Sequence, residues 1–154
     1  MNDAIKSIPE LEEEIRLIFV SFEDPDAKWK WLLRIAREHP GMDPKFRDEK
    51  FLVKGCAARM FLVPEFINGR LRFHMDTDGG VENPLISRGL GALALRIYSN
   101  QKPSEILKSR AEFFQEIGLN VGLSPTRANG FASLLKQISL FAQVFARMEK
   151  LPSQ

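Results

Sequence analysis

Chemistry in this chain centres on one thiol. Cys56 is the single cysteine of the 154 residues, and it lies within the run Phe51-Leu-Val-Lys-Gly-Cys-Ala-Ala-Arg-Met-Phe-Leu-Val63. A lone cysteine forms no internal disulfide, and zinc or iron–sulfur sites take about three or four ligands. Two roles stay open: a buried cysteine acting as a small hydrophobe, or a reactive thiol that attacks or accepts sulfur as its thiolate. Lys54 and Arg59 are the sequence neighbours whose charge would favour the thiolate. Gly55 interrupts the apolar run and supplies positive φ without steric cost. The stretch reads as strand, tight turn, strand, with the thiol at the tip.

Other polar clusters read as structure. Asp76-Thr77-Asp78-Gly79-Gly80 lacks the alternating ligands and terminal Glu of a calcium loop, so a turn with capping carboxylates is expected. Glu12, Glu13 and Glu14 fall in the first turns of a helix, where its dipole favours anions. Gly89-x-Gly91 has neither the spacing nor the lysine of a phosphate loop. His39 precedes Pro40-Gly41 at a helix end and suits the dipole there. His74 alternates with Arg70 and Arg72 on a polar strand face; a Cys56–His74 thiol hydrolase is the enzyme alternative it leaves.

The elements that must position the thiol follow from local signals. Ser7-Ile-Pro-Glu10 is a capping box opening a helix, with Leu11, Ile15, Ile18, Phe19 and Phe22 as its apolar stripe. Asp24-Pro-Asp26 starts a second helix, burying Trp29, Leu32, Leu33, Ile35 and Ala36. Asn68-Gly69 joins two apolar runs as a hairpin, and Leu71, Phe73 and Met75 form its inward face. Pro64 implies an edge position or a bulge. Pro84 can open a helix in which Gly89 and Gly91 allow close packing. Lys102-Pro-Ser-Glu105 begins a short helix, and Ser124-Pro125 caps a long final one. Phe131, Leu134, Leu135, Ile138, Phe141, Ala142, Phe145 and Met148 form its core stripe.

Composition excludes several classes. At 44% apolar and 27% charged residues, the chain has the profile of one compact globular domain over residues 1–154. No apolar run approaches the roughly 18 residues of a membrane span, and the N-terminus lacks a signal-peptide pattern. A net charge of +2 argues against nucleic acid. Residues 1–85 carry 13 basic and 16 acidic side chains, residues 86–154 carry 9 and 4, which reads as solvated helix faces. One unpaired cysteine suits a reducing compartment, the cytoplasm by default. Oligomeric state is left open.

Four motifs occur in a telling order: Val53-Lys-Gly-Cys56, Asp76-Thr-Asp78, Arg88-Gly-Leu90 and Leu123-Ser-Pro-Thr-Arg-Ala-Asn-Gly130. In this the chain resembles SufE-like proteins, from about Glu12 to Met148. The resemblance implies an α+β fold, SufE/IscU-like, with a small antiparallel sheet of about three strands packed against several α-helices. It implies a sulfur acceptor that takes a persulfide on Cys56 from a cysteine desulfurase and passes the sulfur to an iron–sulfur scaffold. The thiol would be sheltered until the desulfurase docks. Pyridoxal phosphate would belong to the desulfurase, and no cofactor or metal is expected in this chain. Arg127 and Asp78 would support the thiol, while Lys54, Gly55 and Arg59 would face the partner. The chain departs from the family pattern at Ala57-Ala58, where a Gln-Ser pair is common, and at Phe61, where Trp is common. Val81–Leu85 reads as a short insertion before Ile86. A non-catalytic adaptor docking on a desulfurase is the second functional reading.

Overall fold

In a computed structural model, the described residues are 5–55, 58–80 and 84–149. They form helices α1 (Ile8–Val20), α2 (Ala27–Glu38), α3 (Pro84–Tyr98), α4 (Pro103–Lys108), α5 (Glu112–Glu116) and α6 (Pro125–Glu149), with strands β1 (Ala58–Ile67) and β2 (Arg70–Gly80). The fold is α+β.

Helix α3 is the centre of the packing. It lies on β2 and against α2, with α6 and α1 on its remaining sides. Glycine makes this approach possible. A Cβ on Gly89 would stand 2.5 Å from the Leu32 carbonyl oxygen, and one on Gly91 2.7 Å from Met75 Cε. Around them Leu32, Leu62, Leu71, Met75, Leu93, Ile97 and Leu134 are fully buried. Each such side chain contributes about 1.5–3 kcal/mol over leaving it in water.

Local signals explain most boundaries. Ser7 and Glu10 make the reciprocal capping box of α1. Asn68 and Gly69 take φ of 52° and 78°, the left-handed pair a two-residue hairpin needs. Pro64 sits opposite Phe73 in a two-stranded sheet in which both strands are edges, and the register shift falls between Ala58 and Arg59 instead.

Four expectations need correction. The sheet has two strands, not three. Asp48 accepts from Lys50 N and folds Glu49–Phe51 into a 3-10 turn, leaving Leu52 to make one isolated bridge to Phe61. Asp76 to Gly80 continues β2 rather than turning. In α2, Trp31 is buried while Trp29 and Leu33 are half-buried. Met148 leaves the core stripe and is 45% exposed. The first three residues of the suggested insertion, 81–83, lie outside the described residues; Pro84 and Leu85 open α3.

Candidate functional site: the loop between Val53 and Met60

Cys56 and Ala57 lie outside the described residues, but the frame that carries them is defined. Val53 N donates to Met60 O at 2.8 Å, closing Lys54–Arg59 into a short loop. The Leu52–Phe61 bridge continues the same pairing by one step. Burial of Val53 and Met60 fixes both ends in the core. Gly55 has φ of +87°, and a Cβ there would stand 3.0 Å from Ser133 Oγ on α6. Glycine therefore serves both the turn and the close approach to the helix.

An ionic network ties the loop's outgoing end to its surroundings. Arg59 Nε donates to Asp78 Oδ1 at 3.1 Å, and Arg47 Nη1 to Asp78 Oδ2 at 3.0 Å. Arg47 Nη2 reaches Asp76 Oδ2 at 2.7 Å. Arg88 Nη1 donates to Asp76 Oδ1, while its Nε and Nη2 reach Ala36 O and His39 O, each at 2.8 Å. The guanidiniums of Arg47 and Arg59 each lie 5.9 Å from the Phe61 ring centre. Phe61 is thus a buried ring with two cations over it.

Asp76 is 6% exposed. Burial alone would push its carboxyl up, but the Thr77 amide and the Arg88 and Arg47 guanidiniums outweigh burial and hold it below its ordinary value. Both aspartates of the Asp-Thr-Asp motif are therefore spent on arginines. Among the described residues no three His, Cys, Asp or Glu side chains gather as a metal site.

The site residues expected from sequence separate into groups. Asp78 and Arg59 meet each other, directly beside the loop. Lys54 is exposed and makes no ion pair among the described residues. Arg127 is half-buried; its amide donates to Ser124 Oγ at 3.2 Å, and its side chain lines a small void with Met60, Ser87, Leu90 and Phe131. Arg47, Arg88 and Ser133 were not singled out as site residues by sequence reasoning, because their partners lie far along the chain.

The two histidines are structural. His74 pairs with Val63 in register, five residues along β1 from Ala58, a rise of about 17 Å. Its ring contacts Glu65 and stacks on Phe46 at 4.7 Å, toward the hairpin tip. His39 corrects the expectation of a cation at the α2 dipole. Burial pushes its pKa down, with Arg88 adding to the effect against the Met75 carbonyl and Asp76. Its Nε2 lies 2.8 Å from Met75 O, and a carbonyl only accepts, so Nε2 carries the proton.

A larger cavity, about 510 Å³, lies elsewhere, between α4, α5 and α6. It is lined by Ile106, Leu107, Phe114, Phe131, Leu135 and Tyr98, among others. Burial raises the Tyr98 phenol to about 12, so it stays protonated. No described residue of the 53–60 segment lines this cavity.

Fold and site define an α+β protein in which a short loop, pinned at both ends, joins a 3-10 turn to a hairpin. Residues 13–142 match the family model described as SufE, Fe-S metabolism associated domain, and the chain belongs to that family. It is 29% identical over 133 residues to SufE-like protein 1, chloroplastic/mitochondrial, of Arabidopsis thaliana, covering 86% of this chain. The chain spans about a third (34%) of that protein's length. It is 27% identical over 130 residues to the sulfur acceptor protein CsdE of Escherichia coli, covering 82% of this chain and 84% of CsdE. A hypothetical protein from Thermus thermophilus, solved in solution, shares the fold. Its TM-score is 0.73 at 17% identity, over 90% of this chain and 96% of that one. No helix among the described residues is long and apolar enough to cross a membrane.

Proposed function

We propose that this protein accepts sulfane sulfur on Cys56 from a cysteine desulfurase and passes it on for iron–sulfur cluster assembly. The reading is carried by one conjunction: the chain belongs to the SufE family, and its lone cysteine lies in sequence between Val53 and Met60, which a backbone hydrogen bond joins. Membership in the same family as a named sulfur acceptor supports the chemistry.

The step is a thiol exchange. The Cys56 thiolate attacks the outer sulfur of the donor's persulfide. The donor's sulfur–sulfur bond breaks, its inner sulfur leaves as thiolate with the bonding pair, and Cys56 carries the new persulfide. A downstream thiolate on the scaffold repeats the exchange. The donor's pyridoxal phosphate generates the first persulfide, so this chain needs no cofactor.

Residue roles follow from the contacts. Lys54, one residue before Gly55, is a cation without an internal partner among the described residues and favours the thiolate. Asp78 acts indirectly, by holding Arg59 and Arg47 at the loop's outgoing end. Arg127 supports the loop through β1 at Met60. A free acceptor thiol operates in a reducing compartment, with the cytoplasm as the simplest setting.

The test is intact mass after incubation with a cysteine desulfurase and L-cysteine, without reductant. The expected result is a gain of about one sulfur atom, absent from Cys56→Ser. No gain with an active desulfurase overturns sulfur acceptance, and a changed desulfurase rate without gain identifies an adaptor.

A further inference from the structure

Beside the reactive loop runs a cleft of about 390 Å³. One wall is the segment Lys50–Lys54, and the other is the face of α6 that carries Ser133, Lys136 and Leu140. Because Gly55 packs against Ser133, the cleft begins where the loop touches the helix. Its charge is of one sign. Lys50, Lys54 and Lys136 line it, and no carboxylate does. Lys54 and Lys136 make no ion pair among the described residues, and Lys50 reaches Asp48 only at 3.9 Å between exposed side chains. Three lysines thus line one opening that no carboxylate among the described residues lines.

The apolar part of the surface is equally open. Leu140 is 41% exposed at the cleft, and Val144 and Met148 follow at 63% and 45%. A spacing of four residues puts all three on one line of the helix, about 12 Å long. Leu140 and Val144 lie outside the core stripe expected from sequence, and Met148, expected in it, is exposed with them. A cationic patch next to the loop grading into an apolar line away from it fits a protein segment of matching layout. Water has free access to both parts, so covering the apolar line contributes affinity while the lysines set orientation and encounter rate.

We infer that this cleft docks an acidic, apolar-flanked segment of the persulfide donor, with carboxylates against Lys54 and Lys136 and an apolar side chain against Leu140. The inference rests on the sulfur-acceptor reading for the donor's identity. It adds the surface and chemistry by which the donor is held, on the α6 side of the loop rather than on the Arg47–Asp78–Arg59 side. The latter cations are already paired and offer less to an incoming carboxylate.

The experiment is titration calorimetry of the desulfurase from the mass test into the full chain, at low and moderate salt. Lys136→Glu and Leu140→Asp are compared with the wild type, and Lys136→Arg serves as the charge-conserving variant. Both altered positions are solvent-facing, and equal thermal melts establish that the variants fold. The expected result is binding about tenfold or more weaker for Lys136→Glu and Leu140→Asp, near-wild-type binding for Lys136→Arg, and wild-type affinity that falls with salt. Equal affinity across the variants overturns the cleft, as does a wild type that forms no complex. The mass test is scored separately on the wild type: sulfur uptake with unaltered variant binding sinks the cleft alone, and weakened variant binding without uptake sinks sulfur acceptance alone.

Discussion

The β-hairpin is held by different forces at its two ends. At the tip, Asn68 and Gly69 make the turn, and Leu71 exchanges backbone hydrogen bonds with Asn100 and Gln101 at 2.6 and 2.9 Å. At the base, where the strands open into the 53–60 loop, the ties are side-chain charges: Arg59 and Arg47 on Asp78, then Arg47 and Arg88 on Asp76. Neutral backbone pairs respond little to salt or to a nearby carboxylate, whereas exposed ion pairs respond to both. The end next to the 53–60 segment is thus the end whose ties are sensitive to salt. Burial grades the network itself. The Asp78 side chain is 39% exposed and the Asp76 side chain 9%, so the outer pair is adjustable and the inner one is structural.

Replacing Asp76 by Asn should break the base outright. Arg88, 17% exposed, would face a neutral amide among the Ala36 and His39 carbonyls. Removing one partner of a buried pair costs about 3–5 kcal/mol, read as the loss in urea-unfolding free energy. Acid gives an independent check on sign. The folded-state pKa of Asp76 lies below its ordinary 3.8, so its contribution is full above that value and disappears as pH falls through the folded pKa. The Asn variant lacks this acid-sensitive component. A loss below about 1 kcal/mol would mean that the network adds little beyond what surface pairs give.

Two smaller changes sharpen the contrast. Gly69→Ala puts a Cβ on a residue at φ 78°, a cost of about 1–2 kcal/mol. Arg59→Gln removes a pair whose members are 49% and 39% exposed, which is worth about 0.2–1 kcal/mol. Melting both variants in dilute buffer and again in roughly 0.5 M salt, where the Debye length is only a few ångströms, separates the mechanisms. The tip deficit should persist, and the base deficit should shrink. Equal salt responses would remove the distinction between the ends.

Much of the fold was legible because its signals are local. The Ser7–Glu10 box, the Asn68-Gly69 turn and the helix-opening Pro84 and Pro125 each follow from residues a few positions apart. The missing third strand was a matter of length. Only Leu52 and Val53 remain extended between the 3-10 turn and Gly55, too few to make more than one bridge. The site was half legible. Arg59 could be named from its nearness to Cys56 in sequence and Asp78 from the family motif, but Arg47 lies 29 residues from Asp76, and Ser133 meets Gly55 only through the packing of α6. No periodicity encodes such meetings. Met148 shows the same limit in reverse: it keeps helical spacing with the core residues, yet it is 45% exposed while Glu149 beside it binds Ser104.

The smallest expected effect concerns His39, which ties the end of α2 to β2 one residue before Asp76. Its pKa is lowered from 6.5 in the fold, chiefly by burial, so the folded state resists protonation that the unfolded chain accepts. Proton uptake by the unfolded chain alone must therefore erode stability as pH falls below about 6.5, until His39 also protonates in the fold. His39→Gln can retain a donor toward Met75 O but removes this titration. At pH above the ordinary histidine value, the wild type should be the more stable, because its ring fills the site. On acidification toward pH 5.5 its melting temperature should fall further than that of the variant, and the gap should narrow. A gap that stays constant with pH would mean that His39 holds the base of the hairpin by shape alone, leaving Asp76 as its pH-sensitive tie.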